Sequence, residues 1–209
     1  MKKRELHVVT TGTQDDQQLI DIIKKIHPYV DYIHLREKHR SAKEIYDLIN
    51  QLLNQRIPLS KLMINDRVDL AQVLGVKGVQ LPNHALPVRK VKESFPELRI
   101  GASVHSTDEA RIAEEEGADF LLYGHIFPTN CKRNLPPKGV KNLQYMTSTV
   151  SKPVMAIGGI KPDDVKAVLD CGAAGIAVMS KVFLANDPLD AVQHYKREIV
   201  NWEGWESGK

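Results

Sequence analysis

Long apolar runs are missing from this 209-residue chain: no stretch approaches the ~20 residues that a membrane span requires. No secretory leader is expected, because LHVVT at 6–10 enters a strand pattern almost at once and no apolar leader core precedes it. Cysteine is scarce. Cys131 and Cys171 stand outside any C-x-x-C spacing, which argues against a disulfide scaffold and fits free thiols in a reducing cytoplasm. Charge of one sign is in short supply: 29 basic against 26 acidic residues leave +3, too little to imply a nucleic-acid partner. The basic run Lys2-Lys3-Arg4 is short and terminal and reads as a solvated end. No linker, low-complexity stretch or second domain interrupts the chain, so residues 1–209 are expected to form a single domain, with 203–209 as a tail.

What the chain has in quantity is strand-sized apolar runs that stop at small, polar or glycine-rich turns. LHVVT (6–10), YIHLRE (32–37), LMIND (62–66), GVQL (78–81), RIGASVH (99–105), FLLYGHIF (120–127), PVMAIGG (153–159) and GIAVMS (175–180) make eight. Helical patterns fill most of the gaps. Eight β-then-α units are the number that closes a parallel barrel, so the expected fold is α/β, a single (β/α)8 TIM barrel near the lower size limit for that architecture. Barrels of this kind place their chemistry at the carboxyl ends of the strands. The strand tails Glu37, Asp66, His105, His125, Gly158, Gly159 and Ser180 are therefore expected to converge on one mouth.

Helix punctuation agrees with this reading. SAKE (41–44) and STDE (106–109) read as capping boxes, and Pro162-Asp163-Asp164 reads as another helix start. Gly75, Gly117 and Gly172 stand where helices should stop. The last helix is expected from Pro188 to Trp202, with Ala191, Val192, Tyr195, Ile199 and Trp202 along one face. The proline-rich and basic stretch 128–141 follows the sixth strand at the catalytic end and suggests a lid or substrate loop.

Candidate chemistry follows from position. Loops after the seventh and eighth strands of barrels commonly hold phosphate, and glycine lets backbone N–H groups approach an anion. Gly158, Gly159, Met179 and Ser180 form the expected phosphate site. Arg36 and Lys38, at the end of the second strand, suit a carboxylate or phosphate clamp. Asp66 ends the third strand, but Mg2+ wants a second carboxylate or substrate phosphates, and QLPNHAL at the next strand end offers no acid. Cys131 reads as a loop thiol without a role and Cys171 as packing. His34, which shares a strand face with Arg36, is a further candidate, whereas His7, His27, His39, His84 and His194 read as structural or solvated.

Taken together, REK (36–38), NDR (65–67), GASVHS (101–106), GADFLLYGHIFPTNCK (117–132), IGGI (157–160) and GIAVMS (175–180) resemble the thiamine phosphate synthase superfamily over nearly the whole chain. That resemblance implies a compact (β/α)8 barrel with a thiazole phosphate site. In the synthases an acidic residue after the fourth strand joins the Asp of ND on Mg2+; here Ala85 falls in its place. Where the synthases carry GPxFPTxTK, this chain carries GHIFPTNCK, with His125 replacing proline. Both departures resemble the TenI branch, the thiazole tautomerases.

The resemblance implies an isomerase that converts a carboxylated thiazole phosphate from its ylidene tautomer to the aromatic ring, without cofactor or metal. His125 would be the proton shuttle, since imidazole ordinarily titrates near pH 6.5. Gly158, Gly159, Met179 and Ser180 would hold phosphate, and Arg36, Lys38 or Lys132 the carboxylate. Ser103 would orient substrate or hold His125 in one tautomer, with His105 as the second acid–base candidate and Asp66 beside the substrate. The expected partner is the small thiazole phosphate, with no nucleic acid and no membrane, in a homodimer, the commonest symmetric oligomer. Two other readings stay open. One is the Mg2+-dependent thiamine phosphate synthase, supported by Arg36, Lys38, Asp66 and Lys132; the other is a non-catalytic regulator that binds a thiazole phosphate, although no DNA-binding signature is present.

Overall fold

The computed structural model describes residues 3–132 and 135–207, the last three by backbone alone. Eight parallel strands close a barrel in sequence order: β1 (Glu5–Val9), β2 (Tyr32–Leu35), β3 (Leu62–Asn65), β4 (Gly78–Leu81), β5 (Arg99–Val104), β6 (Phe120–Gly124), β7 (Val154–Ile157) and β8 (Gly175–Val178). Pairing of Leu6 on β1 with Ile176 on β8 completes the ring. The connecting helices are α1 (Asp16–Ile26), α2 (Ala42–Asn54), α3 (Val68–Leu74), α4 (Val88–Ser94), α5 (Thr107–Glu115), α6 (Gly139–Thr149), α7 (Val165–Asp170) and the short α8 (Ser180–Phe183), followed by α9 (Pro188–Ser207). The (β/α)8 architecture expected from the sequence is the one observed. Among the described residues no helix is long and apolar enough to cross a membrane.

Strand side chains alternate between two faces, and here the two faces build two cores. Leu6, Val8, Ile33, Leu35, Leu121 and Ile176 point outward and pack with Leu19, Ile23, Leu48 and Leu52 of the helices. Val9, Met63, Phe120, Leu122, Met155 and Ala177 form a separate buried cluster inside the barrel. Gly101 makes room for it: a Cβ there would lie 2.7 Å from Phe120 Cε1.

The foot of the interior is polar. Glu5 Oε2 lies 2.8 Å from His7 Nε2, and Arg99 Nη2 donates to both Glu5 carboxylate oxygens at 2.9 and 3.2 Å. His34 Nε2 lies 3.0 Å from His7 Nδ1. The Arg99 guanidinium stacks 4.3 Å from the Tyr32 ring centroid and 4.8 Å from that of Phe120. Burial alone would push the Glu5 carboxyl up, but hydrogen bonds from His7 and Arg99, with the guanidinium charge, bring it down to about 2. Burial pushes both imidazoles down, His34 well below the ordinary value.

These histidines predict an acid-sensitive fold. In the unfolded chain each imidazole takes a proton near pH 6.5, whereas the folded protein keeps both rings neutral. Their contribution is intact above that pH and falls as pH drops below it, by at most about 1.4 kcal/mol per pH unit for each ring. Calorimetry should show Tm falling between about pH 7.5 and about pH 5.5, with a shallower fall in His34→Phe.

Some local expectations are met and others are corrected. Ser41 and Glu44 form the full capping box, with Glu44 Oε2 accepting from the Ser41 N–H at 2.7 Å. Ser106 caps α5, but Glu109 reaches one residue further back, to the His105 N–H at 2.7 Å. Residues 203–207 continue α9 rather than forming a tail; 208–209 lie outside the described residues. The basic N-terminus is partnered, not merely solvated: Lys3 pairs with Asp31 at 2.5 Å, and Arg4 donates to the Ala173 carbonyl and stacks on Trp202. Lys2 lies outside the described residues. Gly75, Gly117 and Gly172 end helices at φ +64°, +95° and +84°.

Candidate active site

One cavity of about 1180 Å³ opens at the carboxyl ends of the strands. Val9, Leu122, Ile157 and Ala177 give it an apolar floor, beside His34 and Gln80. Its wall carries five cations, Arg36, Lys38, Lys132, Lys161 and Lys181, and four imidazoles, His34, His84, His105 and His125. Among the described residues no aspartate or glutamate lines it. None of the five cations forms an ion pair among the described residues. A cavity of this kind attracts small anions, and its imidazoles suit proton exchange near neutral pH.

Of the eleven residues singled out from the sequence, the structure brings ten into this wall: Arg36, Lys38, Ser103, His105, His125, Lys132, Gly158, Gly159, Met179 and Ser180. Asp66 is the exception. It sits at the rim in a left-handed conformation (φ +68°), with Oδ2 3.5 Å from His84 Nε2. Glu37 is also corrected. It is buried away from the mouth, where it accepts from Thr10 Oγ1 at 2.5 Å and from Arg40 Nε at 3.0 Å. Lys161 and Lys181 were missed in the sequence, although each follows a strand-end loop that already carried phosphate candidates.

His125 is held by its surroundings from several sides. Beyond β6 the pairing with β7 continues, with the Ile126 N–H donating to Ile157 O and the Phe127 N–H to Gly158 O, each at 3.0 Å. Returning from the loop, the Lys138 N–H donates to the His125 carbonyl at 2.8 Å. The ring Nε2 lies 3.2 Å from the Leu135 carbonyl oxygen. A carbonyl only accepts, so Nε2 carries the proton and Nδ1 is the basic nitrogen of the neutral ring. Of the two roles expected for Ser103, holding the His125 tautomer falls to the Leu135 carbonyl instead; the Ser103 hydroxyl accepts from Gln80 Nε2 at 3.0 Å and lines the cavity.

Within the stretch 128–141, Asn130–Lys132 form a 3-10 turn and α6 begins at Gly139; Arg133 and Asn134 lie outside the described residues. The turn brings Lys132 Nζ to 3.2 Å from His105 Nε2. Burial and the Lys132 charge lower the His105 pKa, and Glu109, 3.4 Å from Nδ1, only partly opposes them. Gly158 (φ +97°), packed against His125, and Gly159 (φ +72°) adopt backbone conformations that L side chains rarely take.

The family resemblance raises Mg2+, and the residues present do not fit it. Asp66 faces an imidazole, not a second carboxylate, and the Ala85 methyl packs against the core where a second acid would be needed. Among the described residues no group of three or more His, Cys, Asp or Glu side chains could hold a metal.

Comparison with known proteins gives one consistent picture. The family model described as thiamine monophosphate synthase matches residues 6–182. The thiamine-phosphate synthase of Pyrococcus abyssi is 36% identical over 203 residues, covering 95% of this chain and 96% of the relative. That of Chlorobium phaeovibrioides is 39% identical over 172 residues, covering 80% and 81%. The solved thiamine phosphate pyrophosphorylase of Pyrococcus furiosus superposes with a TM-score of 0.81 at 32% identity, covering 96% of this chain and 98% of that one.

Proposed function

Since the chain belongs to the thiamine monophosphate synthase family, we propose that within thiamine biosynthesis it acts as a thiazole tautomerase. One observation carries this reading: among the described residues the cavity wall combines five cations that form no ion pair with four imidazoles and no carboxylate. That composition suits a substrate with anionic groups at both ends and chemistry limited to proton transfer. The phosphate of a carboxylated thiazole phosphate would rest against Gly158, Gly159, Met179 and Ser180, with Lys161 and Lys181 beside it. Its carboxylate would meet Arg36, Lys38 or Lys132.

His125 Nδ1 takes the proton from the ring carbon that bears the carboxylate. The C–H electron pair becomes ring π density, and the exocyclic double bond takes up a proton from the imidazolium at its vinyl carbon. Atoms and charge balance without any second reactant. His105 is less suited to the donating half of this cycle, because burial and Lys132 favour its neutral form.

A second reading has a specific observation in its favour: the relatives reported above are named for thiamine phosphate synthesis, a transferase reaction. The side-chain set around Asp66 counts against it, since ionising a pyrophosphate calls for a well-held Mg2+. One assay separates the two. Incubated with the ylidene tautomer in the absence of Mg2+, the protein should convert it to the aromatic ring, followed by proton NMR. Coupling of thiazole phosphate to the pyrimidine pyrophosphate, only with Mg2+ and with no tautomer conversion, would establish the transferase instead. A protein that binds the aromatic thiazole phosphate and does neither would be a regulator.

A further inference from the structure

His7 and His34 are among the most buried polar side chains, yet the proton transfer assigned to His125 makes no use of them. They join the foot of the barrel to the cavity. Glu5, tied to Arg99, lies 2.8 Å from His7 Nε2, and His7 Nδ1 lies 3.0 Å from His34 Nε2. His34 lines the cavity, and its other ring nitrogen, Nδ1, is buried without a hydrogen-bond partner.

The direction of this chain follows from which groups can donate. An ionised carboxylate only accepts, so the His7 proton resides on Nε2. A doubly protonated His7 would place a buried cation near the Arg99 guanidinium, and burial disfavours it. Neutral His7 therefore offers Nδ1 as an acceptor, and His34 must donate from Nε2. Burial keeps His34 neutral as well, so its Nδ1 carries no proton. The charged groups around the pair are Glu5, Arg99 and Asp31; Tyr32 and Phe120 supply the aromatic walls.

We infer that Glu5, acting through His7, fixes His34 as its Nε2–H tautomer, so that the cavity floor recognises an N–H or O–H donor on the ligand. Glu5 and His7 are positioning residues. The inference depends on the cavity and the hydrogen-bonded chain, not on the reaction proposed above. It also supplies orientation: cations at the rim draw the anionic ends of a ligand, while an uncharged acceptor at the floor turns anionic oxygens away. A buried acceptor left unpaired is unfavourable, so a ligand that pairs it is selected.

The test is long-range proton–nitrogen correlation NMR on protein with 15N-labelled histidine. His34 should show a protonated Nε2 and a bare Nδ1 between about pH 6 and about pH 8. Glu5→Met, which lacks an acceptor, should give mixed tautomers, and Glu5→Gln, whose side-chain carbonyl accepts, should restore the single form. Thiazole and 2-aminothiazole serve as matched probes that differ by one donor group. Wild type should prefer the amino compound by about tenfold, the worth of one net hydrogen bond, and Glu5→Met and His34→Phe should lose that preference. An Nδ1-protonated or doubly protonated His34 in wild type would overturn the inference, as would equal binding of the two probes. A folded Glu5→Met with an unchanged tautomer would remove Glu5 from it. If Glu5→Met does not fold, the wild-type spectrum and the probe pair on His34→Phe still decide.

Discussion

His125→Asn is expected to lower kcat for tautomer conversion by ~10²–10⁴-fold while leaving binding of the aromatic carboxylated thiazole phosphate nearly unchanged. The asparagine amide can still donate to the Leu135 carbonyl that His125 Nε2 faces at 3.2 Å. It cannot take a proton at the other side of the group. The backbone bonds that hold position 125, from Lys138 and through Ile126 to Ile157, do not involve the side chain and survive the exchange. Proton NMR measures turnover and titration calorimetry measures binding. A variant that keeps its turnover would move the proton transfer to His105 or to a water-mediated route. Loss of binding together with turnover would make His125 a holder of the ligand and not its proton shuttle.

Gly158→Ala should damage both stability and activity. A methyl at 158 would stand 2.7 Å from His125 Cα and closer still to its Cβ, on a backbone at φ +97°. The conformational strain and the overpacking each cost about 1–3 kcal/mol. Relief requires His125 to move, and a misplacement near 1 Å at a reacting group can cost on the order of 10²-fold in rate. Gly139→Ala is the matched control. It has a similar φ of +75°, but nothing lies within 4 Å of the added carbon, so it should lose stability to backbone strain alone and keep its rate. Thermal unfolding and the tautomer assay, run on both variants, distinguish strain from displacement.

The barrel was legible because eight apolar runs of strand length, each closed by a turn residue, leave few other ways to bury them. The mouth was legible for the same reason: strand ends can be read from sequence, and barrel chemistry collects there. Contacts that depend on the direction of one side chain were not. Glu37 looked like a mouth residue from its place after β2, but the buried Thr10 hydroxyl and Arg40 guanidinium gave it stronger partners inside. Glu109 had the right spacing to close a box on Ser106 and found the neighbouring N–H of His105 instead. Ser103 was linked to His125 by the positions of their strand ends, whereas the Gln80 side chain, paired in register with Gly101, reaches along the same face to Ser103. The interior chain of Glu5, His7 and His34 had a visible signal. In ELHVV the polar residues occupy alternate positions, which marks an inward face that is not wholly apolar. His34 stood out by sharing a strand face with Arg36, whereas a lone strand histidine such as His7 is most often packing.

An isomerase hands back the charges it received. In the reaction proposed here both ends of the molecule leave as negative as they arrived, so attraction by the lysines and Arg36 stabilises reactant, transition state and product alike. Such uniform attraction speeds capture and cannot lower the chemical barrier. It also delays departure, which makes escape of the finished ring a natural bottleneck of the cycle.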